Sequence, residues 1–193
     1  MESVLFQIHI SLKYLKPRIW RRVLVAADTP VEDFHKIIQT TMGWENSHLH
    51  HFIKDNHIYS IPFEENLFGF GNIDYTGIKI RELLLFEGDK ILYEYDFGDD
   101  WQHEILLEKI LFTDTRQKHP VCLKGKRACP PEDCGGVWGY NRILEIMENP
   151  QHPDYDDTME WIGDDFLPDY FNVDQINAAL KRNNYGCFDR NFF

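Results

Sequence analysis

FQIHISLKYLKPRIWRRVLVAADTPVEDFHKIIQTTMGW, residues 6–44, changes its hydrophobic period part-way along, and the change sets the architecture. Phe6, Ile8, Ile10 and Leu12 alternate with Gln7, His9, Ser11 and Lys13, the two-residue period of a strand with one buried face. Lys16-Pro17 interrupts it, and IWRRVLVAA reads as a second, β-branched strand antiparallel to the first. From Asp28 the period lengthens. Thr29 is placed as N-cap, Pro30 at the first helical position and Glu32 three residues after the cap, a capping box. Phe34, Ile37, Ile38 and Met42 follow at helical spacing, and Gly43 closes the helix in the left-handed conformation. The chain therefore opens β-β-α.

Outward from this unit, SHLHHFIKDNHIYSI predicts a hairpin turning at Lys54-Asp55-Asn56, and a Gly-rich loop spans 67–77. IRELLLFEG fits a short helix or a strand equally, and KILYEYDFGDDWQHEILLEKILF predicts two strands hinged on Phe97-Gly98-Asp99-Asp100. Helical YNRILEIMEN, TMEWIG and NVDQINAALKR follow, the last with Asn172 as cap and Gln175 in the capping-box position. The expected fold is α+β: a mixed, partly antiparallel sheet with a crossing helix, a β-grasp-like core, and C-terminal helices. Residues 1–193 are expected to form a single domain.

The chain is 43% hydrophobic and 15% aromatic, a composition that excludes wholesale disorder. MESVLFQ has no basic and apolar leader pattern, and no apolar run approaches the roughly 18 residues of a membrane span. A cytoplasmic protein with no membrane partner is expected, and there clustered cysteines favour metal or redox roles over disulfides. A formal net charge of −12 argues against gripping a phosphate backbone with the whole surface, so strong nucleic-acid binding is not expected. Charge is nevertheless segregated. Residues 3–27 contain no acid, and Lys16, Arg18, Arg21 and Arg22 form a candidate anion patch; residues 148–174 carry nine acids and no Lys or Arg. The basic stretch faces either an external anion or solvent and the chain's own acidic segment.

Two groups of residues carry metal-ligand chemistry. In VCLKGKRACPPEDCGGVWGY, residues 121–140, Cys122, Cys129 and Cys134 fall at C-x₆-C-x₄-C spacing, looser than the close pairs of structural zinc sites. His119, His48, His50 or His103 would complete a zinc set, whereas Lys124, Lys126 and Arg127 oppose a dication. The alternatives are buried thiols packing as small apolar groups, or a reactive thiol. Second, His48 and His50 on one strand would share a face about 7 Å apart. DFGDDWQH adds Asp96, Asp99, Asp100 and His103, together a site for metal-dependent hydrolysis. The plain alternative is Asp/Gly turn chemistry beside edge-strand histidines. Trp20, Trp44, Trp101 and Trp138, beside charge, either line a recognition groove or roof the core.

PRIWRRVLV, MGWENSHLHHF, YEYDFGDDWQHEILLEK and CLKGKRACPPEDCGGVWGY together resemble the plasmid pRi ORF-three-like family. Its members are often labelled TnpR-type passenger proteins of insertion elements, and the resemblance runs from about residue 5 to residue 182. It implies an α+β domain and, for some members, a link to plasmids and transposons, with no catalytic residues to carry over. Recombinase chemistry is not supplied: Ser3, Ser11, Ser47 and Ser60 are the only serines, and none has the arginine setting that an activated serine needs. The expected function is a non-catalytic binding or accessory module of plasmids and mobile elements, with a protein or peptide partner. A metal-dependent hydrolase is the alternative, and zinc the candidate cofactor.

Overall fold

The computed structural model describes residues 3–62, 71–114, 119–163 and 165–188; positions 67–70 of the predicted Gly-rich loop lie outside them. β1 (Ser3–Leu12) and β2 (Trp20–Ala26) pair antiparallel in the register Leu5↔Ala26 to Ser11↔Trp20. Phe6, Ile8, Ile10 and Leu12 are all buried, as the alternation requires. α1 (Val31–Met42) buries Phe34, Ile37, Ile38 and Met42 and ends at Gly43 in the left-handed region, φ 107°. Its start differs from the expected capping box. Pro30, not Thr29, is the N-cap, and no side chain caps the helix. The Val31 N–H donates instead to the Ile78 carbonyl at 2.8 Å, so a distant backbone group satisfies a donor that the sequence assigned to Thr29.

β3 (His50–Lys54) and β4 (His57–Ser60) make the predicted hairpin, turning through Asp55 and Asn56, both at positive φ as a two-residue turn demands. β5 (Ile73–Asp74) joins β4 in parallel, and the ambiguous IRELLL segment contains a helix, α2 (Ile80–Leu83). β6 (Lys90–Tyr95) and β7 (Trp101–Thr113) flank the predicted hinge. β8 (Val121–Lys126) contains Cys122, so the cysteine motif begins in a strand rather than a loop. The motif ends in α3 (Gly136–Met147), whose first turn is GVWG. α4 (Tyr155–Ile162), α5 (Val173–Ala179) and a 3₁₀ turn (Asn183–Gly186) follow. Asn172 caps α5, its Oδ1 accepting from Asp174 and Gln175 N–H, but Gln175 accepts from the Tyr170 hydroxyl rather than completing a capping box.

Among the described residues the strands form one eight-stranded sheet, β5-β4-β3-β6-β7-β1-β2-β8, antiparallel except at β4–β5. The fold is the expected α+β mixture. One face, with Ile8, Ile10, Val23, Val25, Phe52, Tyr93, Ile105 and Leu107, buries the apolar side of α1, each large side chain stabilising by about 1.5–3 kcal/mol. The other face is polar, and there Arg22 grips Glu108 through two bonds of 2.6 and 2.7 Å. At the β8 edge, the Asn177 side chain from α5 accepts from the Cys122 N–H (2.8 Å) and donates to the Cys122 carbonyl (2.9 Å). Trp44 and Trp101 are buried in the core, Trp20 stacks on His9 and meets the Arg22 guanidinium, and Trp138 is exposed.

Candidate metal centre

Three segments far apart in sequence meet at the end of the β3–β6 pair. The ladder His50↔Tyr95 continues one step outward, the Asp96 N–H donating to the Leu49 carbonyl at 2.9 Å, which brings Asp96 beside His48. Asp96 sits in the left-handed region, φ 57°, and its Oδ1 accepts from the Gly98 N–H, an Asx turn that leaves Oδ2 for other work. The third segment is the PPEDC stretch between β8 and α3. There Glu132 Oε1 accepts from the Glu45 N–H (2.7 Å) and the Tyr95 hydroxyl (2.9 Å), while Tyr95 in turn accepts from the Ser47 N–H. This chain of bonds ties the segment to the one that carries His48.

His48 Nε2 is the centre of the group. It lies 3.1 Å from Asp133 Oδ1, 3.6 Å from Glu132 Oε2 and 3.7 Å from Asp96 Oδ2. Yet His48 Nε2 and Glu132 Oε2 are buried atoms without a hydrogen-bond partner among the described residues. Ligands about 2.1 Å from one ion stand about 3.0 Å apart at octahedral and about 3.4 Å apart at tetrahedral angles. The distances from His48 Nε2 therefore suit a shared cation. His48, Asp96 and Asp133 each offer a ligand atom within 4.8 Å of the others. Burial raises the Glu132 carboxyl above its ordinary range, against the two donors on its other oxygen. Asp133 is exposed, so the group opens to water on one side.

Residues 4–175 match the description plasmid pRiA4b ORF-3-like protein. The chain belongs to that family. An uncharacterized protein of Sinorhizobium fredii, y4hQ, is 34% identical over 182 residues, covering 93% of this chain and 92% of its own. The crystal structure of a protein of unknown function from Methanosarcina mazei, MM3350, superposes with a TM-score of 0.82 at 37% identity, covering 90% of this chain and 97% of its own. The pRiA4b ORF-3-like fold is thus shared between this chain and an experimentally solved relative.

In this pRiA4b ORF-3-like chain the residues singled out from sequence separate. His48 precedes β3 rather than lying in it, so His48 and His50 do not share a strand face. His50 turns into the core, stacked on His35 with ring centroids 3.5 Å apart and bonded to the Tyr75 hydroxyl at 2.7 Å. His103 is also core: Nε2 accepts from the Trp44 indole N–H at 3.2 Å, and Nδ1 donates to the Trp101 carbonyl at 2.9 Å. Burial depresses the imidazoles of His35 to about 3 and His103 to about 4, and holds His50 well below the usual histidine value. Asp99 accepts from the Gly135 N–H and Asp100 from the Gln102 side chain. Neither belongs to the ligand group around His48.

Cys122, Cys129 and Cys134 are buried and free, and form no ligand group of three among the described residues. Burial pushes the Cys134 thiol up to about 12 and holds that of Cys129 well above its usual value, so both are protonated. The basic stretch divides because strand alternation sends neighbours to opposite faces. Arg21 is buried, Arg22 is paired with Glu108, and Lys16 and Arg18 alone stay exposed. Sequence reasoning missed Glu132 and Asp133, hidden among cysteines that drew the attention. Two adjacent acids in a Pro-Pro-Glu-Asp turn were the available signal.

Proposed function

We propose that this chain is a divalent-cation-binding accessory domain, carried with plasmids and mobile elements, with His48, Asp96 and Asp133 as ligands and Glu132 beside them. The observation that carries this reading is the pair of buried atoms, His48 Nε2 and Glu132 Oε2, that lie 3.6 Å apart inside a ring of carboxylates with no hydrogen-bond partner among the described residues. Three carboxylates around one imidazole are costly without a cation to offset their repulsion. One nitrogen and several oxygens suit zinc, manganese, iron(II) or magnesium, and no thiolate is required. A second reading, metal-assisted hydrolysis, is favoured by the exposure of Asp133, which leaves the outward position to water or substrate.

The test is metal content of chain purified without chelator, together with unfolding midpoints in added zinc, manganese or magnesium. About one equivalent of metal, or a midpoint raised by one of these ions, is expected, lost in His48→Ala and Asp96→Asn and kept in Cys129→Ser. No metal and no shift with any of the three ions would refute the reading, as would a response that His48→Ala leaves unchanged.

A further inference from the structure

A cleft of about 580 Å³ opens between the β6–β7 turn and the first turn of α3, with Tyr14 of the β1–β2 connection also on its lining. The two main walls are clamped together. Asp99 Oδ2 accepts from the Gly135 N–H at 3.1 Å, and Gly136 packs so closely on the Asp99 carbonyl that a Cβ would not fit between them. Two aromatic side chains line the cleft in the open: Trp138 is 87% and Tyr14 66% exposed, where most such rings are largely covered. Tyr14 also holds φ at 66°, in the left-handed region that a bulky residue enters only at a cost. A strained backbone that keeps a large ring in water is a feature of recognition rather than of packing.

Among the described residues, the charged members of the lining are Asp99 and Asp100, both acidic. Asp100 takes bonds of 2.9 and 3.2 Å from the Gln102 side-chain nitrogen, a neutral donor like the Gly135 N–H on Asp99. Lys13, next to the lining, has Nζ 4.8 Å from the Tyr14 ring centroid and donates to Gln102 Oε1 at 3.0 Å. One ammonium against two carboxylates leaves the cleft negative, in a chain of net charge −12. Open aromatic faces beside carboxylates complement a flat cation. We propose that this cleft docks an arginine side chain of a partner polypeptide, its guanidinium on the Trp138 ring and toward Asp99 and Asp100. Arginine suits it better than lysine, because the planar and weakly hydrated head stacks on indole and makes paired bonds to carboxylate. Asn141, also on the lining, supplies an amide for the partner's backbone.

The probe is acetyl-glycyl-arginyl-glycinamide, with its uncharged citrulline counterpart and methylguanidinium as comparisons. Each is titrated into the whole chain at low salt and followed by amide chemical shifts at residues 98–100 and 135–138. Saturable binding of the arginine peptide at about 5 mM or tighter is expected, with the citrulline peptide weaker by about fivefold or more. Trp138→Ala and Asp100→Asn should each weaken the arginine peptide about threefold or more. Both side chains are exposed, so both variants should fold as the parent does. No saturation at about 50 mM would overturn the proposal. Equal affinity for the citrulline peptide, affinity unchanged by Trp138→Ala, or tighter binding of methylguanidinium than of the peptide would do so as well. Self-association of the chain that Trp138→Ala abolishes would give the cleft to a second copy and overturn the proposal too.

Discussion

Acid should unfold this protein by way of its buried histidines, and the size of the effect follows from their surroundings. His35 and His103 are held neutral, near 3 and 4, while in the unfolded chain both titrate near 6.5. Below pH 6.5 the unfolded chain therefore takes up protons that the folded chain refuses. Stability is full above that pH and falls as acid is added, by about 1.4 kcal/mol per pH unit for each histidine. Between pH 7.5 and 4.5 the loss is about 2.7 kcal/mol for His35 and about 2.5 kcal/mol for His103, roughly 5 kcal/mol together. His50, stacked on His35, shifts in the same direction. Glu132 opposes them, since its raised carboxyl binds a proton more readily when folded. Typical domains have only about 5–15 kcal/mol in total, so the loss is large. Urea unfolding followed by tryptophan fluorescence at several pH values measures it. His103→Asn should be less stable at pH 7.5, having lost the acceptor for Trp44, yet its stability should fall less steeply below pH 6. Stability that stays level from pH 7 to 5, or a variant with the parent's slope, would refute this reasoning.

Tyr93→Phe should cost about 1–3 kcal/mol in denaturant unfolding, because the hydroxyl accepts from Gln39 and meets His35 Nδ1, both buried. Gly136→Ala should destabilise by about 1–3 kcal/mol: φ is 65°, and an added Cβ would lie 2.4 Å from the Asp99 carbonyl oxygen. DNA titrated at near-physiological ionic strength should bind weakly and be released by added salt, since Arg21 is buried and Arg22 neutralised by Glu108; submicromolar binding lost in Arg21 and Arg22 variants would contradict this.

Periodicity made the fold legible wherever one element supplied its own signal. Phe6 to Leu12 and Phe34 to Met42 buried the faces their spacing announced, and Asp55-Asn56 turned as its composition required. Signals failed where a distant group replaced a local one: the Ile78 carbonyl took the donor assigned to Thr29, and the helix of the GVWG turn began inside a stretch rich in loop-forming residues. The site was half legible for the same reason. His48 and Asp96 were among the residues singled out, but a β ladder pairs residues by register, and their meeting with Asp133 depends on a segment that no local pattern connects to them. His50 and His103 were the right residue type in the wrong layer. Alternation placed both on the buried side of the sheet, where each is answered by aromatic neighbours.

The Asn177 amide at the outer margin of β8 imitates a peptide group, offering one acceptor and one donor in the arrangement a ninth strand would present. An exposed margin is a template on which a second molecule can add its own backbone and begin a polymer. One side chain from α5 thus acts as a chain terminator for sheet growth at Cys122. Asn177→Ala should keep the chain folded yet shorten its shelf life in concentrated solution, and light scattering over days would register the difference.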